Sequence, residues 1–147
     1  MDAMRAEIHD VQGGLYIVTL RNDEPISVNR GDRRIEHRCI RVTRANCKFG
    51  KARDFVARRA GYVRVFGAEN VTFTPLFALD DIARAERIVL ADLAAWRLRG
   101  PAGRRNEWLG GIAPQDVARI ALRALERSGI SFAVLGHVAE LPASNER

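Results

Sequence analysis

Asn46-Cys47-Lys48-Phe49-Gly50-Lys51-Ala52-Arg53-Asp54-Phe55-Val56-Ala57-Arg58 is the stretch on which the fold turns. Its first part, Asn46 to Gly50, reads as a short strand ending at a glycine. Asp54 then supplies a side-chain oxygen that can accept from the orphan N–H groups of a helix start. The helix runs from Phe55 toward Phe66, with Phe55, Tyr62 and Phe66 on one face at spacings of seven and four. Arg59 falls on that same stripe. A strand, a cap and a helix within so short a stretch point to a mixed α/β chain.

Upstream, Gly14-Leu15-Tyr16-Ile17-Val18-Thr19-Leu20 is an apolar, β-prone run, followed by turn signals at Asn22-Asp23-Glu24-Pro25. Asn29 to Arg38 reads as a charged loop or exposed hairpin, and Cys39 to Thr43 alternates as a strand would. Downstream, Val71-Thr72-Phe73-Thr74 alternates and can continue past Pro75 to Leu79. Asp80 and Asp81 cap a strong helix from Ile82 to about Leu98, closed by Gly100-Pro101. Residues 100–106 form an arginine-bearing loop. Pro114 starts a last helix over 115–128, with Val117, Ile120, Ala121, Ala124 and Leu125 inward and Gly129 as its stop. An apolar final strand is expected over 130–138 and a frayed tail over 142–147.

The chain has 147 residues, the size of one domain with a self-sufficient core. Its 47% hydrophobic and 29% charged content excludes collagen-like and wholly disordered classes. No apolar run is long enough for a membrane span, and no apolar segment follows Met1 as in a secretory leader, so a cytoplasmic protein is expected. Cys39 and Cys47 are too few for a disulfide framework and are expected to be reduced. The net charge is +6, and only Lys48 and Lys51 among the 24 basic residues are lysines. Arginine grips phosphate in a fork, so this excess suits a polyanionic partner, although a GC-rich source would also enrich arginine. His9, His37 and His137 are scattered and show no zinc spacing. Neither a phosphate-cradling Gly-x-x-x-x-Gly-Lys-Ser/Thr nor a Gly-x-Ser-x-Gly nucleophile turn occurs.

One carboxylate stands on the wrong face. At 100° per residue, Ile82, Val89, Leu93 and Trp96 form the apolar stripe of their helix, and Glu86 lies on it, about 40° from Ile82. A carboxylate turned toward a packed layer needs compensation. A buried pair with an arginine such as Arg59, a hydrogen-bond network, a stripe-edge position reaching water, or a metal ion would each supply it.

Gly14-Leu15-Tyr16, then Lys48-Phe49-Gly50, then Arg58 eight residues past that glycine, then Glu86, then Asn106-Glu107-Trp108-Leu109, form an ordered set over residues 13–112. The set resembles the GIY-YIG nuclease superfamily. The segment Gly50 to Arg58 resembles the stretch after the second motif in its phage homing endonucleases. Glu107-Trp108-Leu109 resembles the Glu-Trp-Phe ending of a phage and bacterial branch that commonly has lysine where Lys48 replaces the second motif's tyrosine. Tyr16 and Lys48 are 32 positions apart, more than the family usually has, so residues about 22–44 read as an insertion.

The resemblance implies an α/β (α+β) fold, with a small central antiparallel sheet flanked by helices. Residues 1–112 would form the nuclease core, with the insertion between its first two strands. Residues 113–147 would add a C-terminal helix and strand packed on that core. It implies a metal-dependent DNA endonuclease in which Glu86 holds one Mg²⁺ or Mn²⁺ ion and Tyr16 acts as general base or positions the attacking water. Lys48 would be the cation beside that phenol, or take the missing tyrosine's place, and Arg58 would neutralise the scissile phosphate. Arg33, Arg34, Arg38, Lys51, Arg59, Arg104 and Arg105 would grip the DNA backbone, and Asn106, Glu107 and Trp108 would support the site. A non-catalytic nucleic-acid-binding module derived from such a nuclease is the alternative. A monomer or weak homodimer is expected.

Overall fold

The computed structural model describes residues 12–32, 34, 39–100 and 105–136. Arg33, Arg38, Arg104 and His37, the side chain of Arg105, and the tail lie outside the described residues. Strand β1 (Gly14–Leu20) is buried along its whole length, as expected of a run that is apolar on both faces. It pairs antiparallel with β4 (Asn46–Ala52) on one side, setting Tyr16 opposite Gly50 and Val18 opposite Lys48. On its other side it pairs antiparallel with β5 (Val71–Ala78), which carries the chain past Pro75. Between β1 and β4 the chain makes a separate two-stranded ribbon, β2 (Ile26–Ser27) and β3 (Arg41–Val42), in the region read as an insertion.

Helix α1 (Phe55–Phe66) follows β4, and Asp54 caps it by accepting from the Ala57 N–H at 3.2 Å. Helix α2 (Ile82–Asp92) follows β5 and ends earlier than its periodicity suggests. Leu93 leads into a single 3₁₀ turn, Ala94–Trp96, and then into β6 (Arg97–Arg99). There Arg97 pairs with Leu109 and Arg99 with Arg105 of β7 (Arg105–Gly110). Strand pairing thus overrides a helical pattern that continues through Trp96, and the expected loop over 100–106 already gives way to a strand at Arg105. Helix α3 (Pro114–Arg127) and β8 (Ala133–Val134) complete the described fold. The strand expected over 39–43 contracts to Arg41–Val42, and of that expected over 130–138 the described residues form Ala133–Val134.

The result is an α+β architecture whose sheet is larger than the small one expected: six antiparallel strands in the order β6-β7-β4-β1-β5-β8. Alternation along β1 and β4 divides the core in two. Leu15, Ile17, Cys47 and Phe49 face α2 and α3, and pack with Ala85, Val89, Val117, Ala121 and Leu125. Tyr16, Val18, Leu20 and Ala52 face α1, and pack with Phe55, Tyr62, Phe66 and Trp108. Because α3 and β8 join the same cluster and sheet as β1, residues 114–134 are part of the packed body. Among the described residues no helix is long and apolar enough to cross a membrane.

Candidate functional site

The chain has only two tyrosines, and the fold brings them together. Tyr16 points from β1 toward α1, where its hydroxyl oxygen lies 2.5 Å from that of Tyr62. Arg58, one helical turn before Tyr62, donates from Nη1 to the Tyr16 hydroxyl at 3.4 Å and to the Lys51 carbonyl at 3.1 Å. The Tyr16 ring packs on Phe73 with centroids 4.6 Å apart, and Tyr16 is fully buried. Burial raises the Tyr16 phenol above its ordinary value, against the hydrogen bonds of Tyr62 and Arg58, which favour the phenolate. Burial raises Tyr62 as well, and the adjacent Tyr16 adds to the effect.

This ring packing also accounts for the glycine at position 50. A Cβ at Gly50 would lie 2.6 Å from the Tyr16 hydroxyl oxygen and 2.7 Å from Cζ. Gly14 answers to a different neighbour, because its Cβ would sit 1.9 Å from the Phe77 carbonyl oxygen. Gly50→Ala should push the Tyr16 ring off its seat, break the phenol pair and cost about 1–3 kcal/mol. Chemical denaturation of the variant checks this, and unchanged stability would contradict the packing described.

Lys48 lies beside this pair rather than at Tyr16 itself. Its Nζ is 5.0 Å from the centroid of the Tyr62 ring and 3.6 Å from Glu107 Oε1. Desolvation lowers the Lys48 pKa, against the charge of Glu107 and, more weakly, of Glu86. The cation in contact with the Tyr16 phenol is therefore Arg58, a correction to the expectation for Lys48. Lys48, Arg58 and Tyr62 line a cleft of about 340 Å³ with Val65, Phe66, Asn106 and Trp108, and the loop after β2 contributes Val28 and Asn29. Tyr62 lines the cleft, with the fully buried Tyr16 behind it. Trp108 packs edge-on against Phe66 at 5.6 Å between centroids.

Glu86 sits on the other face of the sheet. It is 6% exposed, as its place on the apolar stripe suggested. Its described partner is Lys51, with Nζ 3.0 Å from Oε1. The arginine pairing considered for Glu86 is thus replaced by a lysine pairing, and Arg59 is an exposed residue of α1. Lys51, expected on the DNA backbone, is engaged by this carboxylate. The faces communicate around β4. The described ladder between β4 and β7 ends at Lys48, and beyond it the Lys51 carbonyl receives Arg58. A polar chain therefore runs from Glu86 through Lys51 to Arg58, Tyr16 and Tyr62.

Among the described residues no group of three or more His, Cys, Asp or Glu could hold a metal ion. Glu86 offers a single hard oxygen ligand. That donor set fits a cation such as Mg²⁺, which keeps several waters and takes further ligands from substrate phosphate, and does not fit one needing a full protein cage.

Sequence reasoning placed Tyr62 on an apolar stripe and missed its hydroxyl. The four-residue spacing from Arg58 and the scarcity of tyrosine were the available signals. Asn29 was missed too, because nothing local shows that the loop after β2 folds back over α1. Arg34 is exposed and lies 3.6 Å from Asp32. No family model matches the chain, and no match was found among curated proteins or solved structures.

Proposed function

We propose that the chain is a metal-dependent endonuclease of the GIY-YIG type that hydrolyses phosphodiester bonds in DNA. The observation that carries this reading is the convergence of Tyr62, Arg58 and Lys48 on one cleft, with Glu86 joined to them through Lys51. The order of strands β4-β1-β5, with α1 after β4 and α2 after β5, supports the likeness at the level of topology. So do the two motif glycines, each occupying a position where a side chain would strike a neighbour.

In this reading Arg58 receives the scissile phosphate. Its guanidinium has five N–H donors; Nη1 serves Tyr16 and the Lys51 carbonyl, and the group also interacts with the Tyr62 hydroxyl. Fixed donors of this kind stabilise developing charge without reorganising. Lys48 adds a second positive charge. Tyr62 is the phenol in the cleft, and holds its proton at neutral pH, so it orients a water or donates to a phosphate oxygen. Tyr16 acts through its neighbours, fixing Tyr62 and Arg58 from beneath. This reassigns to Tyr62 the substrate-facing part expected of Tyr16. Glu86, on the other face of the sheet and joined to the cleft through Lys51, would hold Mg²⁺ or Mn²⁺ in exchange for the Lys51 ammonium, and such an ion would supply Lewis-acid chemistry when bound. Exposed arginines such as Arg53, Arg59 and Arg64 on and beside α1 extend the positive surface for backbone contacts that carry no sequence information.

A second reading, a non-catalytic nucleic-acid-binding module, is favoured by the pairing of Glu86 with Lys51 and by two phenols that hold their protons. One experiment separates the two. Labelled single- and double-stranded DNA is incubated with the protein in Mg²⁺, Mn²⁺ or EDTA. Products that require the divalent ion are expected. Salt-sensitive binding without product under every condition would select the binding module instead.

A further inference from the structure

A phosphate needs only positive donors, yet the cleft beside Arg58 offers more. At about 340 Å³ it has the size of a small-molecule site. Its sides are apolar at Val28 and Val65 and aromatic at Tyr62. Two amides reach it from separate segments, each with one end committed. Asn29 Nδ2 donates to Cys39 Sγ at 2.7 Å, which leaves Oδ1 without a partner among the described residues. Asn106 Oδ1 accepts the N–H groups of Glu107 at 3.0 Å and Trp108 at 3.4 Å, which leaves the Nδ2 donors without one. Between them the two lining residues keep an acceptor and a donor without a partner among the described residues, the combination that nucleobase edges carry and a phosphate does not.

Gly61 adds an independent observation. It lies inside α1, where glycine weakens a helix, and it lines the cleft. No backbone contact demands it: the nearest atom to a Cβ placed there is Arg64 Nη2, at 3.8 Å. The helix therefore forgoes a side chain that would fit, and what it keeps is open space in the cleft.

We infer that this cleft takes one unstacked nucleotide, with its base between Val28, Val65 and Tyr62 and its phosphate on Arg58 and Lys48. The inference deepens the proposed function and rests on its nucleic-acid-binding part. It names the substrate class as a single strand, or a duplex with an extruded base, because a stacked base cannot enter a concave site.

The test measures binding in EDTA, where cleavage plays no part. The probes are a single-stranded oligonucleotide, its fully paired duplex, the same duplex with one bulged nucleotide, and free nucleoside monophosphates. The single strand and bulged duplex are expected to bind about tenfold or more tighter than the paired duplex, which must first unstack and unpair a base. Gly61→Leu places a branched side chain in the cleft and should bring that ratio toward one, with circular dichroism verifying the helix. Asn106→Asp, which keeps the acceptor for the backbone and removes the donor, should lower the ratio on its own. Equal affinity for paired and unpaired probes, or a ratio unmoved by both variants, would overturn the inference. Free monophosphates binding as tightly as the single strand would overturn the assignment to a strand. Binding to none of the probes would overturn the proposed function as well. A retained preference without cleavage in Mg²⁺ would remove the nuclease reading alone.

Discussion

Glu86→Gln is expected to abolish metal-dependent cleavage, with a loss of about 10³-fold or more, while the protein stays folded. The substitution keeps the shape of the side chain and removes its charge. Loss of one fixed electrostatic group at a phosphoryl site has a cost of this order. The structural cost is smaller. Lys51 is 46% exposed on its side chain, so the ion pair is screened on one side and contributes about 1 kcal/mol. A neutral amide can still accept from the Lys51 ammonium. Cleavage rates and a denaturation curve on the same preparation separate the two effects. Full activity with a shifted unfolding midpoint would reduce Glu86 to a structural partner of Lys51 and remove the ion from the proposal. Glu86→Ala should lose cleavage in the same way, at a greater cost in stability, because it leaves the Lys51 ammonium unpaired.

The second large effect is spectroscopic. Both tyrosines of the chain belong to the site, so phenolate absorbance reports on the site alone. Both phenols are raised above their ordinary value of 10.0 by burial. The folded protein is therefore expected to stay silent as pH passes 10, and both phenolates should appear together when the chain unfolds. The sign follows from proton binding. Above pH 10 the unfolded chain loses phenolic protons that the folded chain keeps, so this stabilisation is complete below pH 10 and is lost as pH rises further. Lys48 works in the opposite direction. Its lowered pKa means that folding gains as pH rises toward the ordinary lysine value of 10.5. Net destabilisation should therefore steepen above pH 10.5, where two phenols outweigh one spent ammonium. A phenol that ionises near pH 10 in the folded state would contradict the buried pair and return Tyr16 to the role of an accessible base.

Local chemistry made much of this arrangement legible. The Asp54 cap and the Phe55, Tyr62, Phe66 spacing fix α1 to the residue, and the wholly apolar run 14–20 fixes a central strand. Glu86 stands out because helical geometry makes a buried carboxylate visible without coordinates. Long-range pairing stayed hidden. Nothing near Trp96 announces that Arg97–Arg99 will leave the helix to pair with β7, since the partner lies in Arg105–Gly110. The Lys51 partner of Glu86 was obscured for a related reason. It depends on which face of β4 each residue takes, and Lys48 and Lys51, three apart, take opposite ones. Tyr62 stays hidden because its place on an apolar stripe with Phe55 and Phe66 says nothing of where its hydroxyl reaches.

The ribbon of β2 and β3 packs on the α1 side of the core through Ile26, Val28, Ile40 and Val42. Asn22 Nδ2 reaches the Val42 carbonyl at 3.0 Å, Asn70 holds Asn22 at 3.0 Å, and Val42 is buried beneath. Val28 and Asn29 arrive at the cleft from this side piece, whereas Arg58, Tyr62 and Lys48 come from the main sheet and its helix. One wall of the cleft thus comes from a length of chain separate from the one that supplies its charged groups. On the proposed function, changes at Val28 and Asn29 would alter what the cleft admits while leaving Arg58, Tyr62 and Lys48 in place.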